Sequence, residues 1–584
     1  MTSQPKLIVP ALLLSTALIL PACGGAKENL SSEALIQTPL GQVQGVTTEI
    51  EGLYNFKGIP YAQAPIGDLR WRAPKAVRPW DGVKNADTFS PTCMQPGGTE
   101  GGFVERIVDG HGLSRFKRFL IKRVVAARPD AQMSEDCLYL NIRTAHIGAA
   151  QKAPVMVWIH GGGHQFGSCD YSTYQANGLV EKGVVLVTIN YRLGVMGYMA
   201  HPALSEDDPN SVSGNYGTLD QIEALKWVRD NIEGFGGDPE NVTIFGESAG
   251  SWSVTELMAS PLAEGLFHKA IGQSGASTYH LGQMASNPQG WMGGYEAGKM
   301  VTDALGLPNP SAKELRALPA HVVQDVITEK MADGFHHNRD GYVFPNNVGL
   351  SFRSGDFNAV PTLFGFNFDE GTLFFPNDPE PSVWIESFPR DGRQAQLEAL
   401  REHYPTQAEA LMELYDLETD FEQAGTQFMG DEIFGANVRF VTRQNEAQGQ
   451  PAYIYNFGRI PPSKNQTLSA FHAAEIPFVF DSQEKILGFT KSDEKLTETM
   501  KSYWTNFAKT GNPNGAGLSH WPSYQGENWM QFGGNNDLPT GAIKHFRKTK
   551  LDALEEGLQK KLTDLDAALN VPKKSAPLTI QAPK

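Results

Sequence analysis

The sequence predicts an α/β protein with a mostly parallel central sheet and helices on both of its faces. Short apolar runs that contain β-branched or aromatic residues are typical of buried strands. Four such runs lie at residues 155–159, 184–189, 242–245 and 361–366. Between the second and third runs, apolar residues recur at helical spacing, at Ile222, Leu225, Val228 and Ile232. Strands separated by helices require crossover connections, which are right-handed and leave the strands parallel.

Length and composition are those of one large globular unit. The chain has 584 residues, of which 40% are apolar and 20% charged, and it shows neither an internal repeat nor an interdomain linker. We therefore predict a single domain over residues 38–570. The net charge of −16 disfavours binding to nucleic acid, because neutralising phosphate groups requires a basic surface.

The N-terminus has the pattern of an export signal. An apolar stretch over residues 7–20 is too short to span a membrane comfortably, and Leu20-Pro-Ala-Cys-Gly24 resembles the lipobox of bacterial lipoproteins. We expect a signal peptide over 1–22, acylation of Cys23 and a flexible tether over 23–37. The protein would then be lipid-anchored on the periplasmic side or cell surface of a bacterium. A plain signal peptide with an incidental cysteine is the alternative.

A basic segment lies inside an irregular insert at 97–133. Residues 114–128 hold six basic residues and no acidic one, and they predict a basic amphipathic helix. Three hypotheses remain open for this helix: a solvated surface, contact with an anionic membrane, or attraction of anionic substrates by its local field.

The C-terminal region carries an apolar stripe followed by a polar tail. Leucines recur every three or four residues, at Leu551, Leu554, Leu558, Leu562, Leu565 and Leu569. The stripe predicts a helix that packs on its own domain or, alternatively, one that mediates a homodimer. Residues 571–584, rich in Pro and Lys, are predicted to be disordered.

A serine stands between two glycines directly after one of the predicted strands. Gly246-Glu-Ser-Ala-Gly250 fits the G-x-S-x-G pattern of a strained turn from strand to helix, which makes Ser248 a candidate nucleophile. A second glycine run, His160-Gly-Gly-Gly163, follows another predicted strand. Its uncovered N–H groups, together with that of Ala249, are suited to hold a developing oxyanion.

A general base and an orienting acid must follow such a serine along the chain. Among the 14 histidines, His472 lies in a loop before a new apolar run, as expected of a mobile imidazole. Asp369 and Glu370 follow a predicted strand, and the residues alone leave both open as the acid. We predict no organic cofactor and no metal, because no Cys or carboxylate spacing around His160 and His164 supports a metal site.

Three cysteines remain beyond the N-terminal one: Cys93, Cys137 and Cys169. An exported protein can form disulfides, and three cysteines allow three single pairings with one thiol left over. Their spacing does not choose among the pairings.

Longer motifs around these residues resemble the type-B carboxylesterases, a family that includes bacterial para-nitrobenzyl esterases, cholinesterases and bile-salt-activated lipase. Residues 235–250 fit the family's serine signature along their whole length, and residues 135–142 fit its second signature. The resemblance extends from about Thr38 to Asn514, which is most of the chain.

This resemblance implies an α/β-hydrolase fold with a deep active-site gorge. It assigns Ser248 as nucleophile, Glu370 as acid and His472 as base. It further implies an oxyanion hole made of Gly162, Gly163 and Ala249, together with a Cys93–Cys137 disulfide that leaves Cys169 as a free thiol.

The expected function is serine-dependent hydrolysis of small to medium carboxylic esters, including anionic ones, through an acyl-enzyme. A lipase or a toxin or xenobiotic esterase of the same fold is the alternative, and a non-catalytic adhesion module is the hypothesis from another class. Residues 94–136 contain no tryptophan, which disfavours a choline ester because cholinesterases hold the quaternary ammonium on a tryptophan in this loop.

Overall fold

The structure is a computed structural model. It describes residues 30–96, 99–126, 132–278, 282–283, 293–330, 335–374, 393–483, 487–533 and 539–569. The signal peptide predicted at 1–22, the lipidation site Cys23 and the tail predicted at 571–584 lie outside the described residues. No helix among the described residues is both long and apolar enough to cross a membrane.

Strands and helices alternate through most of the chain. The strands are β1 (Leu30–Thr38), β2 (Gly41–Thr47), β3 (Tyr54–Pro60), β4 (Val83–Asn85), β5 (Thr92–Cys93), β6 (Met133–Ser134), β7 (Tyr139–Thr144), β8 (Ala153–Ile159), β9 (Val185–Ile189), β10 (Gly237–Glu247), β11 (Lys269–Gln273), β12 (Gly282–Gln283), β13 (Asn338–Arg339), β14 (Thr362–Asn367), β15 (Ala452–Phe457), β16 (Asn528–Phe532) and β17 (Gly541–Lys544).

The helices range from single turns to six turns. They are α1 (Thr99–Gly110), α2 (Arg115–Ala126), α3 (Gly194–Tyr198), α4 (Pro202–Glu206), α5 (Tyr216–Asn231), α6 (Ala249–Ala259), α7 (Gly294–Ala304), α8 (Ala312–Arg316), α9 (Ala320–Lys330), α10 (Val348–Ser354), α11 (Arg393–His403), α12 (Ala408–Tyr415), α13 (Phe421–Gly430), α14 (Ala436–Ala447), α15 (Ile476–Phe480), α16 (Lys491–Thr510) and α17 (Lys548–Leu569).

One large sheet organises the described residues. Its strand order is β1-β2-β3-β7-β9-β8-β10-β11-β14-β15-β16-β17, with β4 paired to β2. The seven strands from β9 to β16 pair in parallel, whereas the pairings outside them on this path are antiparallel. The four strands predicted from sequence are β8, β9, β10 and β14, so the predicted parallel centre is confirmed.

The helix predicted between the second and third strands is also confirmed, as α5. The helix continues into a short 3₁₀ turn that includes Ile232. The four residues of the predicted stripe are buried in the same cluster as Val157 of β8 and Ile244 of β10, which is how a crossover helix covers the sheet.

The flexible tether predicted over 23–37 is wrong for its described part. Strand β1 begins at Leu30 and pairs antiparallel with β2. Ala34, Ile36 and Thr38 are buried in alternation with exposed residues, so this segment has a strand's period of two. The domain therefore begins at least eight residues before the predicted boundary at residue 38.

The C-terminal leucine stripe packs on the domain itself. Leu551, Leu558, Leu562 and Leu565 of α17 belong to the main core cluster, and Leu554 belongs to a second cluster formed with α11 to α13. These leucines are thus buried against other parts of the same chain, as the first of the two hypotheses predicted.

Candidate active site

The turn at Ser248 joins β10 to α6 in a strained conformation. Ser248 has φ 55° and ψ −123°, a region that non-glycine residues rarely occupy outside functional sites. Its N–H donates to the carbonyl of Gln273 at 2.9 Å, and its own carbonyl accepts from Trp252 at 3.0 Å. The turn presents Ser248 as a half-buried residue between fully buried neighbours.

The two flanking glycines are sterically required. A Cβ at Gly250 would lie 2.0 Å from the carbonyl oxygen of Ile159, and one at Gly246 would lie 2.5 Å from the carbonyl carbon of Gly250. Any side chain at either position would therefore collide with backbone, as the sequence pattern predicted.

His472 lies against Glu370, which opens a 3₁₀ turn directly after β14. The Nδ1 of His472 is 2.6 Å from Oε2 of Glu370, and both side chains are buried. The backbone N–H of Asn367 donates to the other carboxylate oxygen of Glu370 at 2.5 Å. Phe374 and Phe434 pack against the imidazole, with ring centroids 5.1 and 4.8 Å from it. The carboxylate and the aromatic rings together fix the orientation of the imidazole.

Asp369, the other acidic candidate, faces a different environment. Its Oδ2 accepts weakly from the N–H of Ala470 at 3.4 Å, and it interacts electrostatically with Arg547. Burial raises the pKa of Asp369, and Arg547 opposes that shift. Of the two neighbouring carboxylates, only Glu370 contacts His472 in the described structure.

The glycine run follows β8 and lies beside the serine turn. Gly162 and Gly163 have φ of +100° and +63°, and a Cβ at Gly161 would lie 3.1 Å from Cβ of Ser248. Within the described part of the chain, the N–H groups of Gly162 and Gly163 donate to no protein acceptor. The N–H of Ala249 belongs to the first turn of α6, where helical N–H groups have no intrahelical partner. All three predicted oxyanion donors therefore have N–H groups available.

A strained serine, an imidazole held by a glutamate and a glycine loop thus lie at the carboxyl ends of parallel strands. The family model described as "Carboxylesterase family" matches residues 32–553, which is most of the chain. The chain belongs to the carboxylesterase family. Its fold is accordingly the α/β-hydrolase fold, and it is an enzyme.

Individual relatives of this carboxylesterase agree with the family match. A fumonisin B1 esterase of Sphingopyxis macrogoltabida is 35% identical over 504 residues, covering 84% of each chain. An acylcarnitine hydrolase of Mus musculus is 34% identical over 557 residues, covering 91% of this chain and 92% of the relative. A solved carboxylesterase of Geobacillus stearothermophilus has a TM-score of 0.72 at 31% identity, covering 89% of this chain and all of its own.

Two further carboxylates lie near the imidazole of His472 in this carboxylesterase. Oε1 of Glu247 lies 3.1 Å from Nε2 of His472. Glu475 accepts hydrogen bonds from Asn367 at 2.6 Å and from Gln273 at 3.0 Å. The residue patterns revealed neither glutamate, although one directly precedes Ser248 and the other lies three residues after His472.

Burial and charge set the protonation of this group. Burial raises the pKa of Glu247 to about 8. Burial alone would lower the pKa of His472, but Glu247 and Glu370 together raise it to about 9. The neutral imidazole that a general base requires is therefore favoured by alkaline conditions.

The two histidines that flank the glycines are both buried. His160 stacks on Tyr191 with ring centroids 4.6 Å apart, and burial lowers the pKa of His160 to about 4. His164 contacts the hydroxyl of Ser253 through Nε2 at 2.9 Å. The sequence showed no carboxylate near His164, but in three dimensions Glu256 and His337 lie beside it. These partners are distant along the chain, which is why residue spacing could not find them.

The predicted disulfide is confirmed. Cys93 and Cys137 are bonded, with Cα atoms 5.0 Å apart, and Cys169 is a buried free thiol. Burial raises the pKa of the Cys169 thiol, which keeps it in its unreactive protonated form.

The predicted basic helix is confirmed as α2. The turn that precedes it packs on the loop carrying His472, because His111 contacts the ring of Phe471 at 5.6 Å between centroids. The N–H of Thr467 also donates to the carbonyl of Gly110 at 2.9 Å. The insert therefore lies next to the loop that supplies the imidazole.

Proposed function

We propose that this carboxylesterase hydrolyses carboxylic esters through attack by Ser248, with His472 as general base and Glu370 as the acid that orients it. The observation that carries the proposal is the 2.6 Å contact between Nδ1 of His472 and Glu370, which leaves Nε2 directed toward the serine turn. A non-catalytic adhesion role has no comparable support, since the family and the relatives named above are esterases and hydrolases.

The described residues do not yet form the hydrogen bond between the nucleophile and the base. Among the described residues, the Ser248 hydroxyl has no hydrogen bond to His472, whose Nε2 is instead near Glu247. Hydrogen bonds between nucleophile and base are often long before substrate binds. Rotation of the Ser248 side chain toward Nε2, with displacement of Glu247, would complete the pair when an ester enters.

The chemistry then proceeds in two halves. Nε2 of His472 takes the proton of Ser248, and Oγ attacks the ester carbonyl carbon. The N–H groups of Gly162, Gly163 and Ala249 hold the oxyanion, and each such donor typically contributes a factor of roughly 10² to 10³ in rate. The alcohol leaves with the proton from His472. A water molecule deprotonated by His472 then attacks the acyl carbon, the bond from that carbon to Oγ breaks, and His472 returns the proton to Ser248 as the carboxylic acid is released.

Covalent labelling tests the proposed nucleophile directly. We expect a fluorescent phosphonate to modify one residue per chain, because phosphonates trap serines activated by a neighbouring base. Mass spectrometry of the peptide that spans β10 and α6 should locate the added mass on Ser248.

Heat-denatured protein is the control, since the constellation of residues is lost on unfolding. Labelling of native protein at another residue, or no labelling at all, would contradict the proposed nucleophile.

For the substrate, we propose small to medium esters, with a preference for those that carry negative charge. Support comes from α2, where Arg115 and Lys117 are exposed and where the preceding turn packs on the loop that carries His472. Asp109 of α1 pairs with Arg118 at 3.5 Å and with Lys122 at 2.8 Å, so these two charges are partly neutralised. The field that reaches a substrate would come mainly from the first pair.

A double variant tests this preference. We expect Arg115→Ala with Lys117→Ala to raise KM for an anionic ester on the order of threefold to tenfold at low ionic strength, because a local positive field concentrates anions. For a neutral ester with the same alcohol, KM should change little. Added salt should abolish the difference, since it screens exposed charges.

Lys226→Ala with Arg229→Ala is the matched control. Both residues lie toward the C-terminal end of α5, a crossover helix, which places them near the amino ends of the strands and away from Ser248. An equal rise in KM for neutral and anionic esters in the α2 variant would exclude the charge preference. The substrate panel should also include toxin esters, because one relative is named a fumonisin B1 esterase.

A further inference from the structure

A buried cluster of two imidazoles and one carboxylate lies behind the glycine loop. It consists of His164, Glu256 and His337, and the three atoms that could serve as ligands all lie within 4.8 Å of one another. The three residues are only 1, 2 and 4% exposed. The proposed ester chemistry uses none of them.

The geometry of the cluster leaves polar atoms without partners. Nε2 of His337 lies 2.8 Å from Oε2 of Glu256, yet among the described residues neither atom makes a hydrogen bond. The close approach therefore lacks the alignment that a hydrogen bond requires. Buried polar atoms without partners are rare in folded proteins, and an ion that the structure does not contain is one established explanation.

The neighbours of the cluster orient its rings. The His164 and His337 rings lie edge to face, with centroids 4.4 Å apart. The hydroxyl of Ser253 contacts Nε2 of His164 at 2.9 Å and accepts from the side-chain amide of Gln221 at 2.9 Å. Metal-binding histidines are commonly fixed in this way, through a hydrogen bond at the second ring nitrogen.

The two imidazoles share an aromatic neighbour. Tyr198 packs against the rings of both histidines, which keeps them from water.

We propose that His164, Glu256 and His337 form a binding site for one divalent transition-metal ion, with Zn²⁺ the best match. Zinc is bound in proteins by imidazole nitrogens and carboxylate oxygens, and two histidines with one glutamate are an established ligand set for it. Calcium and magnesium prefer all-oxygen sites, which this cluster does not provide.

The ion would connect three segments around the serine turn. His164 follows the glycine run, Glu256 lies on the helix that begins at Ala249, and His337 directly precedes β13. The side-chain amide of Gln165 already donates to the carbonyl of Phe335 at 2.8 Å, so two of these segments are in direct contact. The metal would therefore brace the glycine loop from behind without contacting the ester.

Metal content of the full chain tests the site. The protein is produced in zinc-supplemented medium, purified without a metal-affinity tag, and analysed by inductively coupled plasma mass spectrometry. We expect about one zinc per wild-type chain. Glu256→Gln and His337→Gln should each lose most of that zinc, because two ligands do not hold a buried ion.

His268→Gln is the matched control. Nε2 of His268 lies 3.8 Å from a carboxylate oxygen of Glu240, so it is also a histidine–glutamate pair, but it lies on the surface. This variant should keep its zinc. Zinc that is lost equally from the control, or retained in both cluster variants, overturns the proposal.

Cobalt substitution tests the site in the wild-type protein and therefore does not depend on the cluster variants being able to fold. Wild-type protein produced with Co²⁺ in place of zinc should show visible absorption bands stronger than those of hydrated Co²⁺, as expected for an ion bound by imidazole nitrogens and a carboxylate oxygen. It should also unfold at a temperature higher than metal-free protein by on the order of 3 °C, because an ion bound only by the folded state stabilises it. A wild-type chain that holds neither zinc nor cobalt overturns the proposal.

Discussion

Replacing Ser248 by alanine should lower kcat for a neutral chromogenic ester by roughly a millionfold, because removing a nucleophile eliminates the whole covalent route. The fold should persist. Alanine retains the Cβ of serine, so the backbone at φ 55° is about equally strained in both proteins, and the hydroxyl makes no hydrogen bond among the described residues that the change would remove. Steady-state kinetics and thermal unfolding followed by circular dichroism measure the two effects separately.

Ser251→Ala is the matched control, since it removes a serine hydroxyl three residues further along the chain, in the first turn of α6. The hydroxyl of Ser251 donates to the carbonyl of Gly275 at 2.6 Å and is fully buried. We therefore expect a loss of about 1 kcal/mol in unfolding free energy with kcat nearly unchanged. A Ser248→Ala enzyme within roughly tenfold of the wild-type kcat would exclude Ser248 as the nucleophile.

The centre of the fold was predictable from sequence because its strands are buried on both faces. Val155, Val187 and Ile244 lie in β8, β9 and β10, and their continuous apolar surroundings distinguish these strands from loops. The edge strand β1 escaped prediction for the opposite reason. Half of its residues face water, and Ser31, Ser32 and Glu33 resemble the polar composition of a linker.

Some residues of the site could be predicted from short motifs, whereas others come together only in the folded chain. Ser248 and the glycine run stand in short motifs whose backbone requirements leave a signature in the residues, and the structure shows the clashes that explain them. His164, Glu256 and His337 leave no such signature, because the fold alone brings them together. Composition and spacing carry no information about contacts of that kind.

The residues alone could not decide whether Asp369 or Glu370 is the acid. The two carboxylates are adjacent, both follow β14, and only the 3₁₀ turn decides which one faces the imidazole. Glu370 contacts Nδ1 of His472, whereas Asp369 interacts electrostatically with Arg547. Resemblance to the family favoured Glu370, and the structure gives a physical reason for that preference.

Glu370→Gln should lower kcat by roughly 10⁴, whereas Asp369→Asn should leave kcat within about threefold of the wild type. A glutamine cannot stabilise the imidazolium that forms when His472 takes the serine proton, and its amide can hold the wrong tautomer of the ring. Both substitutions remove one negative charge and keep nearly the same volume. Kinetics at saturating concentrations of a neutral ester measure the difference.

The pH profile distinguishes loss of the orienting carboxylate from general damage to the site. The Glu370 carboxylate raises the pKa of His472, so its removal should lower that pKa and move the acidic limb of the kcat/KM profile to lower pH. The limb should stay in place in Asp369→Asn, because Asp369 does not contact the imidazole. If Asp369→Asn instead gave the larger loss of kcat and shifted the limb, Asp369 would be the functional acid, and the 2.6 Å contact between Glu370 and His472 would be a structural one.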